Sequence, residues 1–182
     1  VMRILVGHAS RHGSTAGIAE RIAGELRDDG FEVDCLPVGE VGDIDGYDAF
    51  VIGAAAYLFH WLKDATRFVK RHRDVLGERP VWLFSSGPLG TDLVDEEGRD
   101  ILDVTRPKEF DQFVEMISPV DTRVFFGAWD PDVPPTGLAE RFMRLLPSAR
   151  SAMPTGDFRD WAEVQTWAAS IASALHHHDT AD

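Results

Sequence analysis

Short apolar runs alternate along the chain with longer segments in which apolar side chains recur at helical spacing. The short runs predict strands at RILVGHA, FEVDCLPV, DAFVIGAA, RPVWLFSSG and TRVFFGAW. The longer segments predict helices that begin near Ser14, Trp61, Phe110 and Trp161. A further short helix is predicted at LAERFMRLLPSA, after DPDVPPTG interrupts the chain, and the acidic segment from Leu89 to Arg106 is predicted to be a loop.

This alternation predicts an α/β fold. Parallel strands require helical crossovers, so the five predicted strands and their helices indicate a single doubly wound five-stranded parallel sheet. The common order 2-1-3-4-5 places the topological switch point between strands one and three. Ligands bind there, outside the carboxyl ends of the strands, so we expect a site among the loops 10–15, 54–60 and 85–90.

Composition narrows the function classes. The 182 residues have a formal net charge of −13, which argues against binding to nucleic acid or to an anionic membrane surface. No apolar run reaches the roughly 18 residues of a membrane helix, so we expect no membrane span. The first strand begins almost at once, and we therefore expect no signal peptide. Cys35, the single cysteine, favours a reducing cytoplasm. We expect no metal at His176–His178, which lie near a frayed chain end.

The first loop, SRHGST, has the residues of an anion site. It follows a strand and opens a helix, where free backbone N–H groups and the helix dipole favour an oxyanion. No Lys follows Gly13, so a triphosphate loop is excluded, and the dinucleotide pattern G-x-G-x-x-G is absent. The pattern therefore favours a monophosphate, and the alternative is a Ser/Thr helix cap with a turn glycine.

The other two loops have few bulky side chains. AAAYLFHW follows strand three, and there Tyr57 either stacks on a flat ligand or packs in the core. We interpret Trp61 as a core residue on the apolar face of the second helix. SSGPLG follows strand four, and its backbone groups either bond a ring edge or form an ordinary turn.

Together the three loops resemble those of flavodoxins, and more closely those of the flavodoxin-like branch that includes menaquinone-dependent protoporphyrinogen dehydrogenase. The resemblance is carried by SRHGST, VIGAAAY with His60-Trp61, VFFGAW, LAERFMRLL and GDFRDW. It implies that the chain binds FMN. It assigns the phosphate to Ser10, Arg11, His12, Gly13, Ser14 and Thr15, one side of the flavin to Ala55, Ala56 and Tyr57, and the other side to Ser86, Gly87, Pro88 and Leu89.

Two departures from this branch affect the expected function. The branch usually has a glycine directly before the histidine that corresponds to His60. This sequence has Phe59 there, which either narrows the flavin-ring site or stacks on the ring. The segment after the third loop, TDLVDEEGRDILD, is acidic where the branch is often basic. Negative charge beside the site disfavours a substrate with propionate groups.

Three hypotheses therefore stay open. The favoured one is an FMN oxidoreductase that exchanges electrons with a redox protein carrying a basic surface. The second is a flavin enzyme acting on protoporphyrinogen or a quinone, and the third is a binding module without flavin turnover. The cofactor carries the redox chemistry, so we expect no catalytic acid or base. We predict an FMN domain over residues 1–175, with an insert at 128–156 and a flexible tail at 176–182.

Overall fold

The computed structural model describes residues 1–130, 132 and 154–179. Its strands are β1 (Arg3–Ala9), β2 (Glu32–Pro37), β3 (Ala49–Tyr57), β4 (His60–Trp61), β5 (Val81–Ser86), β6 (Asp121–Phe125), β7 (Ala128–Trp129) and β8 (Gly156–Asp157). Its α-helices are α1 (Ser14–Asp28), α2 (Lys63–Arg71), α3 (Arg73–Glu78), α4 (Ile101–Val104), α5 (Glu109–Ile117) and α6 (Trp161–Asp179), with a 3₁₀ turn at Val38–Glu40.

The main sheet is parallel and has the order β2-β1-β3-β5-β6, which confirms the predicted order of the five long strands. The neighbours β1 and β3 are in register from Ile4 opposite Ala49 to Ala9 opposite Ala54. Because the chain reverses its direction of winding between these two strands, their carboxyl ends border the switch point. The short strand β4 extends the sheet as an antiparallel partner of β3.

Helices cover both faces of the sheet, as the alternating pattern predicts. On one face, the apolar sides of α1 and α6 pack over the sheet, with Ile22 and Trp167 among the buried residues. On the other face, α2, α3 and α5 pack over the sheet and bury Val69, Leu76 and Phe113. The two layers hold the central strands in place, and the loops at the strand ends are positioned by this core.

A tight contact between β3 and β5 lies just below the carboxyl edge. Gly53 is the register partner of Phe84. A β-carbon added at Gly53 would fall 1.9 Å from Cζ of Phe84, so the aromatic ring occupies the space beside the glycine. Phe84 is fully buried and meets Phe125 and Trp167 in edge-to-face contacts. A glycine within the apolar run of β3 is explained by this approach.

Several predicted elements differ from the observed ones. Trp61 lies in β4 and not on the second helix, which begins at Lys63 and is interrupted at His72. The predicted loop after β5 contains α4. The last helix continues to Asp179, so the first part of the predicted flexible tail is helical.

Part of the predicted insert is visible at its two ends, where β7 and β8 pair antiparallel. The short helix predicted at LAERFMRLLPSA lies outside the described residues, as do most of DPDVPPTG and the last three residues of the chain.

Within the described ranges, each helix is too short or too polar to cross a bilayer.

Candidate cofactor site

A cavity of about 270 Å³ opens at the carboxyl ends of the central strands. Every residue that the resemblance assigns to the site lines this cavity, except Gly13 and Pro88. Gly13 instead lines an adjoining cavity of about 540 Å³, which also borders the start of α1. Pro88 contributes through its backbone, since its carbonyl oxygen accepts a hydrogen bond from Gly127 N–H at 2.9 Å. The three predicted loops therefore meet at one place.

The start of α1 has the properties of an anion site. Gly13 is its N-cap residue, with φ 82°, and no side chain caps the helix. The Oγ of Ser10 accepts a hydrogen bond from Gly13 N–H at 3.0 Å, which fixes the turn before the helix. The alternative that Ser or Thr of this loop caps the helix with its side chain is therefore not observed. Ser14 and Thr15, the first residues of α1, line the cavity, so the unpaired N–H groups of the first turn and the positive end of the helix dipole lie beside it.

Ser14 connects this first turn to the loop after β6. Its Oγ accepts a hydrogen bond from Ala128 N–H at 2.9 Å, so its own hydroxyl proton stays available to an anion. The carbonyl oxygen of Ser14 accepts a hydrogen bond from the guanidinium of Arg159 at 3.2 Å. Arg159 also pairs with Asp157 on β8, at 2.6 Å. Ala128, at the beginning of the predicted insert, and Arg159, just beyond its end, therefore both hold the start of α1.

A buried hydrogen bond joins the first and third loops. The hydroxyl oxygens of Thr15 and Ser86 lie 2.7 Å apart, and either can donate. Thr15 is fully buried and Ser86 almost so. One hydroxyl proton is used in this bond, and the other can turn toward a ligand. The distance between the two loops is thus set by the protein itself.

Tyr57 lies at the cavity and not in the core. Its side chain is 41% exposed, and the guanidinium carbon of Arg11 lies 5.1 Å from the centre of its ring. A cation over the ring face stabilises the orientation of both side chains. This exposed ring supports the stacking interpretation of Tyr57 over the core interpretation.

The turn after Tyr57 is strained. Leu58 and Phe59 connect β3 to β4 with φ values of 49° and 66°, the conformation of a two-residue turn in which both positions favour Asn or Gly. Phe59 therefore lies at a position where glycine would avoid the strain. This explains why the branch that the sequence resembles usually has glycine there. Its carbonyl oxygen accepts a hydrogen bond from Lys108 N–H at 3.0 Å.

Glu109, at the start of α5, holds the strand that follows this turn. Its carboxylate accepts a hydrogen bond from Trp61 N–H at 3.1 Å and lies 2.9 Å from Nδ1 of His60. Partial burial alone would raise the pKa of Glu109, but these hydrogen bonds hold the pKa below its ordinary value. The carboxylate is therefore ionised at neutral pH and anchors β4.

Trp61 is a core residue, as the sequence indicates. It is 2% exposed, and its indole N–H is shared between the carbonyl oxygens of Ala54 and Phe84, each at 3.2 Å. These two carbonyls lie near the ends of β3 and β5. The indole therefore stabilises the edge of the sheet from which the second and third loops leave.

Two acids of the segment after the third loop, Asp95 and Asp100, are used in its own folding. The Asp95 carboxylate accepts hydrogen bonds from the backbone N–H groups of Glu97 and Arg99, and Asp100 accepts them from the first residues of α4. Arg99 also pairs with Asp95 at 2.7 Å. The lining of the 270 Å³ cavity includes Leu89 from this segment but none of its six acids.

Sequence reasoning missed part of the cavity wall. Leu58, Gly127, Ala128 and Trp129 also line it. The last three follow β6, whose carboxyl end lies at the same edge as those of β3 and β5. Gly127 lies inside the fifth predicted strand, TRVFFGAW, but the observed β6 ends at Phe125. An earlier strand end at this glycine would have placed these residues at the site, because parallel strands all end at one edge of the sheet.

Comparisons with known proteins agree with this geometry. Residues 5–143, more than half of the chain, match the family model described as a flavodoxin domain. The chain belongs to this flavodoxin domain family. It is 31% identical over 86 residues to protoporphyrinogen IX dehydrogenase [quinone] of Escherichia coli strain K12. That match covers 46% of this chain and 48% of the relative, so the chain spans about half the length of the curated relatives it matches.

Solved flavodoxins share the fold at low sequence identity. A flavodoxin from the domain Archaea superposes with a TM-score of 0.59 at 14% identity, covering 97% of this chain and 100% of the other. A cysteine-to-serine variant of the Pseudomonas aeruginosa flavodoxin gives 0.57 at 13% identity, covering 96% and 99%. Rubredoxin oxygen:oxidoreductase of Desulfovibrio gigas gives 0.58 at 14% identity, covering 96% of this chain but 36% of that larger one. These likenesses show the fold alone.

Proposed function

We propose that this chain binds FMN noncovalently in the 270 Å³ cavity and acts as an FMN-dependent oxidoreductase. The observation that carries the proposal is the start of α1, which has no side-chain cap and lies at the switch point of a flavodoxin-like sheet. A helix start of this kind favours a phosphate group, because its N–H groups lack partners within the helix. Family membership supports the same conclusion.

The residues present fit the cofactor. The first loop would hold the phosphate through backbone N–H groups and the hydroxyls of Ser10 and Ser14. The second and third loops would enclose the ring, with Tyr57 as the exposed aromatic surface. A β-carbon at Gly87 would lie 3.0 Å from the carbonyl oxygen of Ala56, so glycine there keeps the two loops close. When bound, FMN supplies the redox chemistry, and the protein supplies binding, orientation and electrostatics.

Ligand affinities test this assignment. The affinities for FMN, FAD and riboflavin are measured by equilibrium titration, and FMN is expected to bind much more tightly than riboflavin. Ser14→Ala removes a hydroxyl donor to a charged phosphate, which contributes about 1.5–3 kcal/mol, so FMN affinity should fall roughly ten- to a hundredfold while riboflavin affinity changes little. The exposed Thr166 on α6 provides a matched hydroxyl control, Thr166→Ala. Equal affinity of the unmodified protein for FMN and riboflavin would contradict the assignment.

Thr15 needs a separate comparison because its hydroxyl is bonded to Ser86. Thr15→Ala and Ser86→Ala remove the same bond from opposite sides. If Thr15 contacts the phosphate, only Thr15→Ala weakens FMN more than riboflavin. Equal losses of both ligands in both variants would show that the pair acts by holding the loops together.

We further propose that the protein exchanges electrons with a redox protein that has a basic surface. The exposed acids after the third loop that make no ion pair among the described residues, Asp92, Glu96 and Asp103, support this partner, since clustered charge steers association. Cys35, the single cysteine, supports a reducing compartment, the cytoplasm, because one cysteine cannot form a disulfide within the chain.

A second candidate function is oxidation or reduction of a small molecule such as a quinone or a porphyrin. The name of the Escherichia coli relative supports it. A structural observation favours it independently: none of the six acids lines the cavity, whereas Arg11 does. The substrate would then meet a cationic side chain and not an acidic rim.

A further inference from the structure

A larger cleft, of about 770 Å³, lies beside the proposed cofactor site. Its walls are the first loop, the 3₁₀ turn at Val38–Glu40 and the start of α2, so we call it the α2 cleft. Ser10, Arg11 and Tyr57 line both the α2 cleft and the 270 Å³ cavity. The α2 cleft and the proposed cofactor site therefore share part of one wall.

The walls of the α2 cleft carry an excess of cations although the chain is strongly acidic. Arg11, Lys63 and Arg67 line it, against the acids Glu40 and Asp64. Asp64 lies 3.7 Å from Arg67, with both side chains largely exposed, so their pairing is weak. The cleft thus retains cationic groups that can bind a ligand.

The row of cations continues along α2. Lys63, Arg67 and Arg71 are spaced four residues apart and lie on one face of the helix. A smaller groove of about 200 Å³ shares Arg67 with the α2 cleft and extends it to Arg71. An extended ligand could therefore place more than one charged group along this face.

His8 adds a buried polar group to the wall of the α2 cleft. It is 9% exposed, and its Nδ1 has no hydrogen-bond partner within residues 1–130, 132 and 154–179. Burial lowers the pKa of its imidazole, so the ring is neutral at pH 7. His60, in the same wall, pairs with Glu109. The Nδ1 of His8, unpartnered within these ranges, and the three cations, which outnumber the two acids, give this wall groups that suit oxyanions and hydroxyl groups.

We infer that the α2 cleft binds the oxyanion group, carboxylate or phosphate, of a small organic redox substrate and holds the rest of that molecule against Tyr57. The inference rests on the proposed flavin chemistry, and it specifies the substrate class for the second candidate function. A cleft of this volume suits a small molecule. Guanidinium groups bind carboxylates and phosphates in a planar, two-bonded geometry, which favours an anion over a neutral substrate.

Binding of defined anions tests the α2 cleft. The protein is first saturated with FMN, so that phosphate probes cannot occupy the start of α1. Three probes are then titrated by calorimetry: pyrophosphate, a reduced nicotinamide dinucleotide phosphate and a porphyrin dicarboxylate. At least one is expected to bind with a dissociation constant below about 1 mM. Binding of the first two probes indicates a phosphate ligand, and binding of the porphyrin alone indicates a carboxylate ligand. Absence of binding by all three overturns the inference.

A pair of charge-matched variants locates the site. Lys63→Gln with Arg67→Gln removes two cations from the cleft, and affinity for the bound probe should fall about tenfold or more. Lys70→Gln with Arg73→Gln removes two exposed cations that do not line it, and affinity should change less than about twofold. Equal losses in the two pairs would show a general charge effect and overturn the inference.

Failure of this inference is distinguishable from failure of the proposed function. The affinity for FMN should be the same in both pairs of variants, because none of their residues lines the 270 Å³ cavity. The same anion titrations on protein without FMN show whether the cleft binds its ligand independently. If the protein binds the anions but not FMN, the α2 cleft is supported as an anion site and the proposed flavin function is contradicted.

Discussion

The segments that follow β3 and β5 leave the same edge of the sheet, but they use their charges differently. After β5, the carboxylates of Asp95 and Asp100 accept hydrogen bonds from the backbone of their own loop. After β3, Lys63 and Arg67 lie in the wall of an open cleft. The difference shows that a charged segment indicates a partner only where its charges are not already used in folding.

The largest effect, a loss of folding stability, is expected from a change where β3 and β5 contact each other. The segments that follow both strands are positioned by that contact. Gly53→Val would force a side chain into the space of the Phe84 ring. Overpacking of a filled core costs about 1–3 kcal/mol and sometimes more, and we expect the upper end here. Urea unfolding measures the loss.

A matched glycine provides the control for this prediction. A β-carbon at Gly24 in α1 would meet no atom within 4 Å, so Gly24→Ala should stabilise the protein by about 0.5–1 kcal/mol. Similar stability for the two variants would contradict the tight packing between β3 and β5.

The fold was largely predictable because its signals are long and periodic. The apolar runs of β1 and β3 and the helical spacing in α1 indicate the alternation that produces a parallel sheet. The strand β4 was not predictable in this way. Trp61 and Ala65 are four residues apart, and this spacing imitated a helix although the chain between them changes from strand to helix.

The candidate site was predictable to the extent that it follows from the ends of strands. The switch-point rule selected three loops, and the structure brings them together. Contacts that depend on pairs of distant side chains were not accessible, as the bond of Thr15 to Ser86 shows. The cationic row on α2 could not be recognised as a binding surface from the sequence either. The sequence shows the charges but not the cleft beside them, and without the cleft they resemble ordinary solvated charges.

The second prediction tests which segment meets a protein partner. Neutralising Asp92, Glu96 and Asp103 together should slow electron transfer to a basic acceptor, such as a c-type cytochrome, by about tenfold at low salt. Lys63→Gln with Arg67→Gln should not slow it. Stopped-flow rates over a salt series measure the effect, which should fade above about 0.1 M salt, where the screening length is about 10 Å. Rates that are independent of salt and of all these changes would remove the support for a basic protein partner.

The third prediction concerns the strained turn after β3. Leu58→Asn with Phe59→Gly supplies the residues that this turn type favours, so the free energy of unfolding should rise by about 1 kcal/mol. Thermal unfolding measures the change. Leu93→Asn, at an exposed position after β5, should change stability by less than about 0.5 kcal/mol. A destabilised turn variant would show that packing of Phe59 outweighs its backbone strain.

The smallest effect is a local one in the acidic segment. Hydrogen bonds from Arg99, both backbone and side chain, hold the pKa of Asp95 below its ordinary value. The carboxylate therefore stabilises the loop above a pH of about 4, and this stabilisation is lost as the pH falls through the lower pKa of the folded state. Asp95→Asn should speed amide hydrogen exchange at Glu97 and Arg99 at neutral pH, whereas Glu96→Gln should not. Unchanged exchange in Asp95→Asn would show that the loop does not depend on this carboxylate.

The hydrogen bond between Thr15 and Ser86 has a consequence for the order of events during synthesis. Its two residues are separated by most of the first half of the chain, so β1 and α1 are translated well before the partner of Thr15 exists. Synthesis adds only about 5–20 residues per second, so α1 has seconds in which to form before Ser86 is made. The first loop therefore reaches its final spacing only after β5 has inserted beside β3. We expect newly made protein to acquire its cofactor as a late step, after the sheet is complete, and a nascent chain ending before β5 to bind none.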